Sequence, residues 1–332
     1  MDLIQLGHGS GGRMMHQLIR EHFVPAFDIR SLNDSAVIDN TFTGRIAVTT
    51  DSYVISPIFF PGGDIGTLAV CGTVNDLSVS GARPLYLTAG FILEEGFPVG
   101  HLKKVLDSMK AAAEEAGVKI IAGDTKVVDR GKGDGIFINT AGFGVVEDGV
   151  DISPLNVRPG DKVIISGSIG NHGISVMAER NGISFEPAVL SDVSPLNGLV
   201  DRMLKKTRNI RVMRDPTRGG LATTLKEIAN EAGLCVTIEE SAIEVRPGVR
   251  GACELLGLDP LYIANEGVLV AFVDRKDADG LVEEMRKTGY GAGSAVIGEV
   301  AEAPEKTVLL KTNIGGIRII DMLSGDQLPR IC

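Results

Sequence analysis

The chain has 332 residues, 44% hydrophobic and 23% charged, a globular composition long enough for two domains of about 100–200 residues, each with a real core. An excess of acidic over basic side chains leaves a net charge of -10, which opposes sequence-independent attraction to nucleic-acid phosphates or anionic lipid, so neither nucleic acid nor membrane is an expected partner. The longest apolar runs, such as Val268 to Val273, fall far short of a membrane span of roughly 20 residues, and the opening MDLIQLGHGSGG lacks a signal-peptide core; a cytoplasmic protein is expected.

The apolar patterning gives, in chain order, a helix from Arg13 and a strand over 45–50. A helix over 64–80 follows, with Ile65, Leu68, Cys71 and Leu77 on one side, then a strand over 84–93. A helix over 99–116 carries Leu102, Val105, Leu106 and Met109 at helical spacing, and strands over 119–122 and 135–146 close the first half. The stretch 151–161, containing Pro154 and Pro159, reads as a linker. Beyond it come a strand over 162–168, helices over 173–181, 195–207 and 220–232, and strands over 235–239, 268–273, 295–300, 307–312 and 316–321. Both halves are mixed α and β, so the fold class is α+β, divided into 1–152, 153–324 and a tail over 325–332.

The four cysteines stand at 71, 235, 253 and 332 and form no CxxC pair or zinc-finger spacing. The first three sit in apolar surroundings, where a cysteine acts as a small hydrophobe. Cys332 ends the sequence in LSGDQLPRIC, so its thiol is expected to be exposed on a flexible tail and free to react.

Two glycine-rich loops could hold an anion. Gly7-His8-Gly9-Ser10-Gly11-Gly12 satisfies GxGxxG before a helix, but only MDLIQL precedes it, not the full strand of a dinucleotide fold. By itself this loop reads as a mobile N-terminal arm. Ser166-Gly167-Ser168-Ile169-Gly170-Asn171-His172-Gly173 follows a strand and opens a helix, a better geometry for an anion.

Asp34, Asp51, Asp76 and Asp124 lie beside apolar segments in NDSAVI, TTDSYV, TVNDLSV and IAGDTKVV. Singly, each reads as a helix cap or strand end. Together they offer the hard oxygen ligands that Mg2+ takes alongside nucleotide phosphates, and Asn75-Asp76 inside a helix is costly to bury without such a partner.

The ordered set NDSAV, TTDSYVISP, GGDIGTLAVCGTVNDLSVSGARP, IAGDTKVV, SGSIGNHG, RDPTRGGLATTL and the ending PRIC resembles the HypE family of hydrogenase-maturation carbamoyl dehydratases along nearly the whole chain. Without PRIC, the motifs indicate only the wider ATP-using superfamily of aminoimidazole ribonucleotide synthetase, selenophosphate synthetase and thiamine monophosphate kinase. The resemblance implies a two-domain synthetase-like fold and a homodimer whose N-terminal strands form a shared β-barrel. It assigns Mg2+ to Asp34, Asp51, Asp76 and Asp124, and ATP to Gly9, Ser10, Gly11, Gly12, Asn75, Gly123 and Asp124. Lys126 and Glu266 come near the Cys332 thiol in that assignment. The implied partners are the carbamoyltransferase HypF, which loads the cysteine, and the HypC and HypD scaffold, which receives cyanide on iron.

The chemistry implied is dehydration of S-carbamoyl-cysteine to thiocyanate. Oxide is a poor leaving group, so phosphorylation of the carbonyl oxygen by ATP lets phosphate depart once a base takes the nitrogen protons. Glu266, in IANEGVLV, suits the base, and Lys126 can stabilise charge on the oxygen or tune Glu266. Two other functions stand beside this one. One is a small-molecule kinase or synthetase in which Cys332 is incidental; the other is a carrier whose ATP site is only regulatory.

Overall fold

The computed structural model describes residues 3–9, 13–29, 35–36, 38, 43–322 and 330–332. Helices α1 (Arg13–Leu18) and α2 (Val24–Phe27) flank a wide turn at Ile19–Phe23. They are followed by β1 (Arg45–Tyr53), the short β2 (Phe59–Phe60) and β3 (Gly63–Asp64), α3 (Ile65–Val79), β4 (Ala82–Glu94), α4 (Val99–Ala116), β5 (Lys119–Val128) and β6 (Ile136–Val146). After a turn at Pro154–Asn156 come β7 (Lys162–Ile165), α5 (Asn171–Asn181), α6 (Asn197–Lys206), β8 (Ile210–Arg214), α7 (Gly220–Ala232), β9 (Cys235–Glu239) and α8 (Pro247–Leu256). The chain continues through β10 (Val270–Val273), α9 (Ala278–Met285), β11 (Ala295–Ala301), β12 (Thr307–Lys311) and β13 (Ile317–Ile320).

The first sheet runs β1-β6-β4-β5, antiparallel except for the β4–β5 pair. One face packs on α3 and α4, and there Leu68, Val74, Leu87, Phe91, Leu102, Leu106 and Ile138 form the core. Helix α3 starts where the Asp64 carboxylate accepts the Thr67 N–H at 2.9 Å, an ordinary N-cap. Of its 15 residues 13 are buried, because it lies between this sheet and the second half of the chain, touching α6 and β8 as well as β1, β4 and β6. The second sheet runs β13-β12-β9-β11-β7-β10-β8, with α7 over one face and α6 and α9 over the other.

Strand β5 runs six residues beyond the expected end at 122, because parallel pairing with β4 carries it through Gly123 and Asp124. Strand β8 and helices α8 and α9 were not legible: β8 is a charged five-residue strand, α8 holds two glycines, and α9 has only eight residues. The expectation of a mobile N-terminal arm is corrected for Leu3–Gly9. Ile4 is buried, its N–H donates to Phe97 O at 2.8 Å, and its carbonyl accepts from Gly96 N at 2.7 Å.

Candidate active site

Sheet register decides which site residues can meet. Tyr53, Ile138, Phe91 and Thr125 stand in one row across β1, β6, β4 and β5, and all four are buried against the helices. Alternation puts Asp51, two residues before Tyr53, on the same face, where Thr49 Oγ1 donates to Asp76 Oδ2 at 3.0 Å. Burial and then the neighbouring Asp51 raise the Asp76 carboxyl above its ordinary value, while the Thr49 bond and Arg214 and Arg218 oppose the rise. Asp215, between those arginines in RDPTRGG, is pushed up to about 7 by burial first and then by Asp76. Glu266 is 3% exposed, and its buried Oε1 has no hydrogen-bond partner among the described residues. Its carboxyl lies well above the carboxylate range, through burial first and then Asp215, Asp192, Asp51 and Asp76.

The rises at Asp76, Asp215 and Glu266 come from burial first and then from the like charges beside them, which a divalent cation would relieve. Among the described residues no three His, Cys, Asp or Glu side chains already form a metal cage. The carboxylates of Asp51, Asp76 and Asp215 are hard oxygen donors, the kind that Mg2+ takes alongside phosphate oxygens.

Asp124 belongs to a different place. It stands in a row with Gly90, Asn139 and Ser52 on the outer face of the sheet. Three strand spacings, about 14 Å, separate β5 from β1. The expectation that Asp124 shares one ion with Asp51 and Asp76 is thus corrected within a single chain. Its carboxylate instead pairs with Lys126, whose Nζ lies 2.6 and 2.5 Å from the two oxygens, and this bond holds Asp124 below its ordinary value. Lys126 shares the exposed face with Ile46, Val48 and Ile92.

The glycines and Asn75 have structural work. A Cβ on Gly123 would stand 2.6 Å from Ala89 O, and one on Gly9 would stand 2.5 Å from Val127 N, so the opening loop lies directly on β5. Ser10, Gly11, Gly12 and Asp34 lie outside the described residues. Both amide hydrogens of Asn75 are committed, to Ser194 O at 3.0 Å and Glu266 O at 3.2 Å, and its Oδ1 accepts from Leu196 N at 2.8 Å. This side chain ties α3 to the Glu266 loop. The loop at 166–173 has its amides occupied, since Ile169 N, Gly170 N and Gly173 N donate to Glu244 O, Asn265 Oδ1 and Ala264 O.

The end of the chain is docked, correcting the expectation of an exposed Cys332. Val54 N donates to Cys332 O and Ser56 N to Arg330 O, both at 3.3 Å. The Arg330 guanidinium reaches Val54 O at 3.1 Å and pairs with Asp134. Arg180 donates to Ser56 O at 2.7 Å and Arg330 O at 2.6 Å. Ile331 is 3% exposed and joins the first core, with Cys332 half-buried against it. His172 Nε2 lies 2.8 Å from Ile331 O. Asp192, Asp215, His172 and Arg180 carry no signal of their own in the sequence; Asp215 and His172 stand inside RDPTRGG and SGSIGNHG, motifs dominated by glycine.

Residues 32–146 match the N-terminal domain, and residues 158–311 the C-terminal domain, of AIR synthase related proteins. Carbamoyl dehydratase HypE of Cupriavidus necator is 52% identical over 332 residues, covering 99% of this chain and 95% of that one. The chain belongs to the HypE family. A crystal structure of the hydrogenase maturation protein HypE in complex with ATP superposes with a TM-score of 0.95 at 48% identity, covering 99% of both chains. A second HypE structure, from a HypE–HypF complex, gives a TM-score of 0.82 at 48% identity and covers 94% of this chain and 100% of that one. The α+β synthetase-like fold is the fold of this family.

Proposed function

We infer that this protein is an ATP-dependent carbamoyl dehydratase of hydrogenase maturation, converting S-carbamoyl-Cys332 to the thiocyanate. The observation that carries the reading is that one helix holds both ends of the reaction: α5 grips the tail through His172 and Arg180 and binds Ala264, two residues before Glu266, through Gly173 N. A docked Cys332 argues against a kinase or synthetase in which that thiol is incidental.

Bound Mg-ATP supplies a phosphoryl group to the carbamoyl oxygen, making it a leaving group. Asp51, Asp76 and Asp215 are the described carboxylates suited to the cation, with Asp34 as the further expected ligand. Glu266 takes the nitrogen protons. As a base it must be ionised, and neutralising Asp215, Asp51 and Asp76 removes three of the four like charges that hold its proton on. Gly9, Ser10, Gly11, Gly12 and Gly123 suit phosphate contacts, and Lys126 suits charge on the transferred oxygen.

Asp124 and Lys126 share their sheet face with Ile46, Val48 and Ile92, which are 60%, 71% and 44% exposed. Such an apolar face is one that a second copy covers, so a homodimer brings Asp124 and Lys126 to the interface and to a site shared between chains. HypF is the loading partner and the HypC–HypD scaffold the acceptor, as a cyanide-delivering cysteine requires. No described helix is long and apolar enough to cross a membrane.

The test is the mass of the C-terminal peptide after incubation with HypF, its carbamoyl donor and ATP. Carbamoyl should appear on Cys332 and then lose one water; ATP consumption with no such loss would support a kinase or synthetase, and a retained carbamoyl with no ATP consumption would support a carrier.

A further inference from the structure

The His172 ring is fully buried and fixed on three sides. Nε2 lies 2.8 Å from Ile331 O, an atom that can only accept, so the proton is on Nε2. Nδ1, 2.8 Å from Ser191 Oγ, then accepts the serine proton, and Ser191 Oγ in turn accepts from Val193 N at 3.1 Å. Phe60 stands edge-to-face against the ring, with centroids 5.4 Å apart at 88°. Burial keeps the imidazole below its ordinary value of 6.5 and therefore neutral, as this bonding requires.

The neighbour of that serine holds the other end of the site. Asp192 Oδ2 accepts from Glu266 N at 3.0 Å and Gly267 N at 2.9 Å. Ser191 N is itself anchored to Pro61 O at 2.8 Å. One dipeptide, Ser191-Asp192, thus touches both the histidine that grips the tail and the backbone that carries Glu266.

We propose that His172 is a positioning residue: through its Nε2–H bond to Ile331 O, braced by Ser191, it sets Cys332 in register with the Glu266 loop. The proposal rests on the dehydratase reading for its rate effect but not for its effect on the tail. Arg180 holds the preceding carbonyl, so loss of His172 loosens only the last residues of the tail.

Two readouts test it. Cys71, Cys235 and Cys253 are buried, so iodoacetamide labelling of the native, full-length protein reports on Cys332. His172→Phe keeps an aromatic ring but loses both hydrogen bonds, and loss of the one to Ile331 O should speed labelling about 10-fold, the effect of one net hydrogen bond. His172→Gln, whose amide can occupy the place of Nε2–H, should restore labelling close to the wild-type rate. On protein preloaded with carbamoyl, single-turnover dehydration should slow about 10-fold in His172→Phe and recover in His172→Gln, with an unchanged thermal shift from Mg-ATP. If His172→Phe does not fold, Ser191→Ala frees the ring and should move both rates in the same direction. Wild-type labelling in the folded Phe variant overturns the latch, and faster labelling with unchanged dehydration overturns its role in positioning. If wild-type protein yields no thiocyanate at all, the dehydratase reading fails, while the labelling series still decides the latch.

Discussion

Replacing Asp215 with asparagine should make the protein more stable in mildly alkaline solution and leave it little changed in acid. The Asp215 carboxyl is raised from 3.8 to about 7, chiefly by burial and Asp76. A folded-state value above the unfolded one means that the native protein binds the proton more tightly, so stability falls as pH rises from near 4 and the cost is complete above about pH 7. The full cost is about 4 kcal/mol at 1.36 kcal/mol per pH unit. About 2 kcal/mol of it is already present at pH 5, leaving roughly 2–3 kcal/mol to develop between pH 5 and pH 8. Asparagine keeps the shape and never ionises, so the advantage of Asp215→Asn should grow by that amount over this range. In melting temperature this is roughly 3–4 °C for a chain of 332 residues. The assay is a melt of both proteins in chelator, without nucleotide, at the two pH values. Adding Mg-ATP at the higher pH should then favour the wild type, whose carboxylate the cation neutralises. An equal difference at both pH values would show that Asp215 is not held protonated by its surroundings, and the carboxylate cleft would lose its central member.

Glu266→Gln should still accept carbamoyl on Cys332 but lose about 10²- to 10⁴-fold in dehydration, so mass spectrometry should catch the carbamoylated tail accumulating. Wild-type rates would move the base elsewhere. Val48→Glu, on a strand face where Val48 is 71% exposed, should leave the monomer folded and shift its sedimentation to a single chain; an unchanged dimer would place the interface on another face. Gly267→Ala puts a Cβ 1.7 Å from Asp192 O, so it should cost several kcal/mol of stability, of order 3 or more, and reduce soluble yield.

How much was legible differed by element. Helix α4 ran over 99–116 in the structure as in the sequence, because Pro98 starts it and Gly117, at φ 68°, ends it. Helix α3 was visible as a helix with one apolar side, Ile65, Leu68, Cys71 and Leu77, but not as the centre of the molecule, where 13 of its 15 residues are buried. The aspartates were found by their apolar neighbours, yet their grouping was not. Which face of β5 Asp124 takes depends on pairing with β4, a partner that sequence spacing does not name. Asp215 was masked by the glycines and arginines of RDPTRGG, and the role of His172 depends on a carbonyl 159 positions away.

The placement of α3 makes the two halves mechanically interdependent. Its inner side completes the first sheet, its outer side is covered by α6 and β8, and Asn75 stitches it to Ser194, Leu196 and Glu266. A cut in the linker near Ile152 would leave one fragment with a bare apolar helix and the other with the groove that it fills. Neither fragment should be soluble when expressed by itself, and the two should recover a native structure only when produced together, the behaviour of a split protein rather than of two beads on a string.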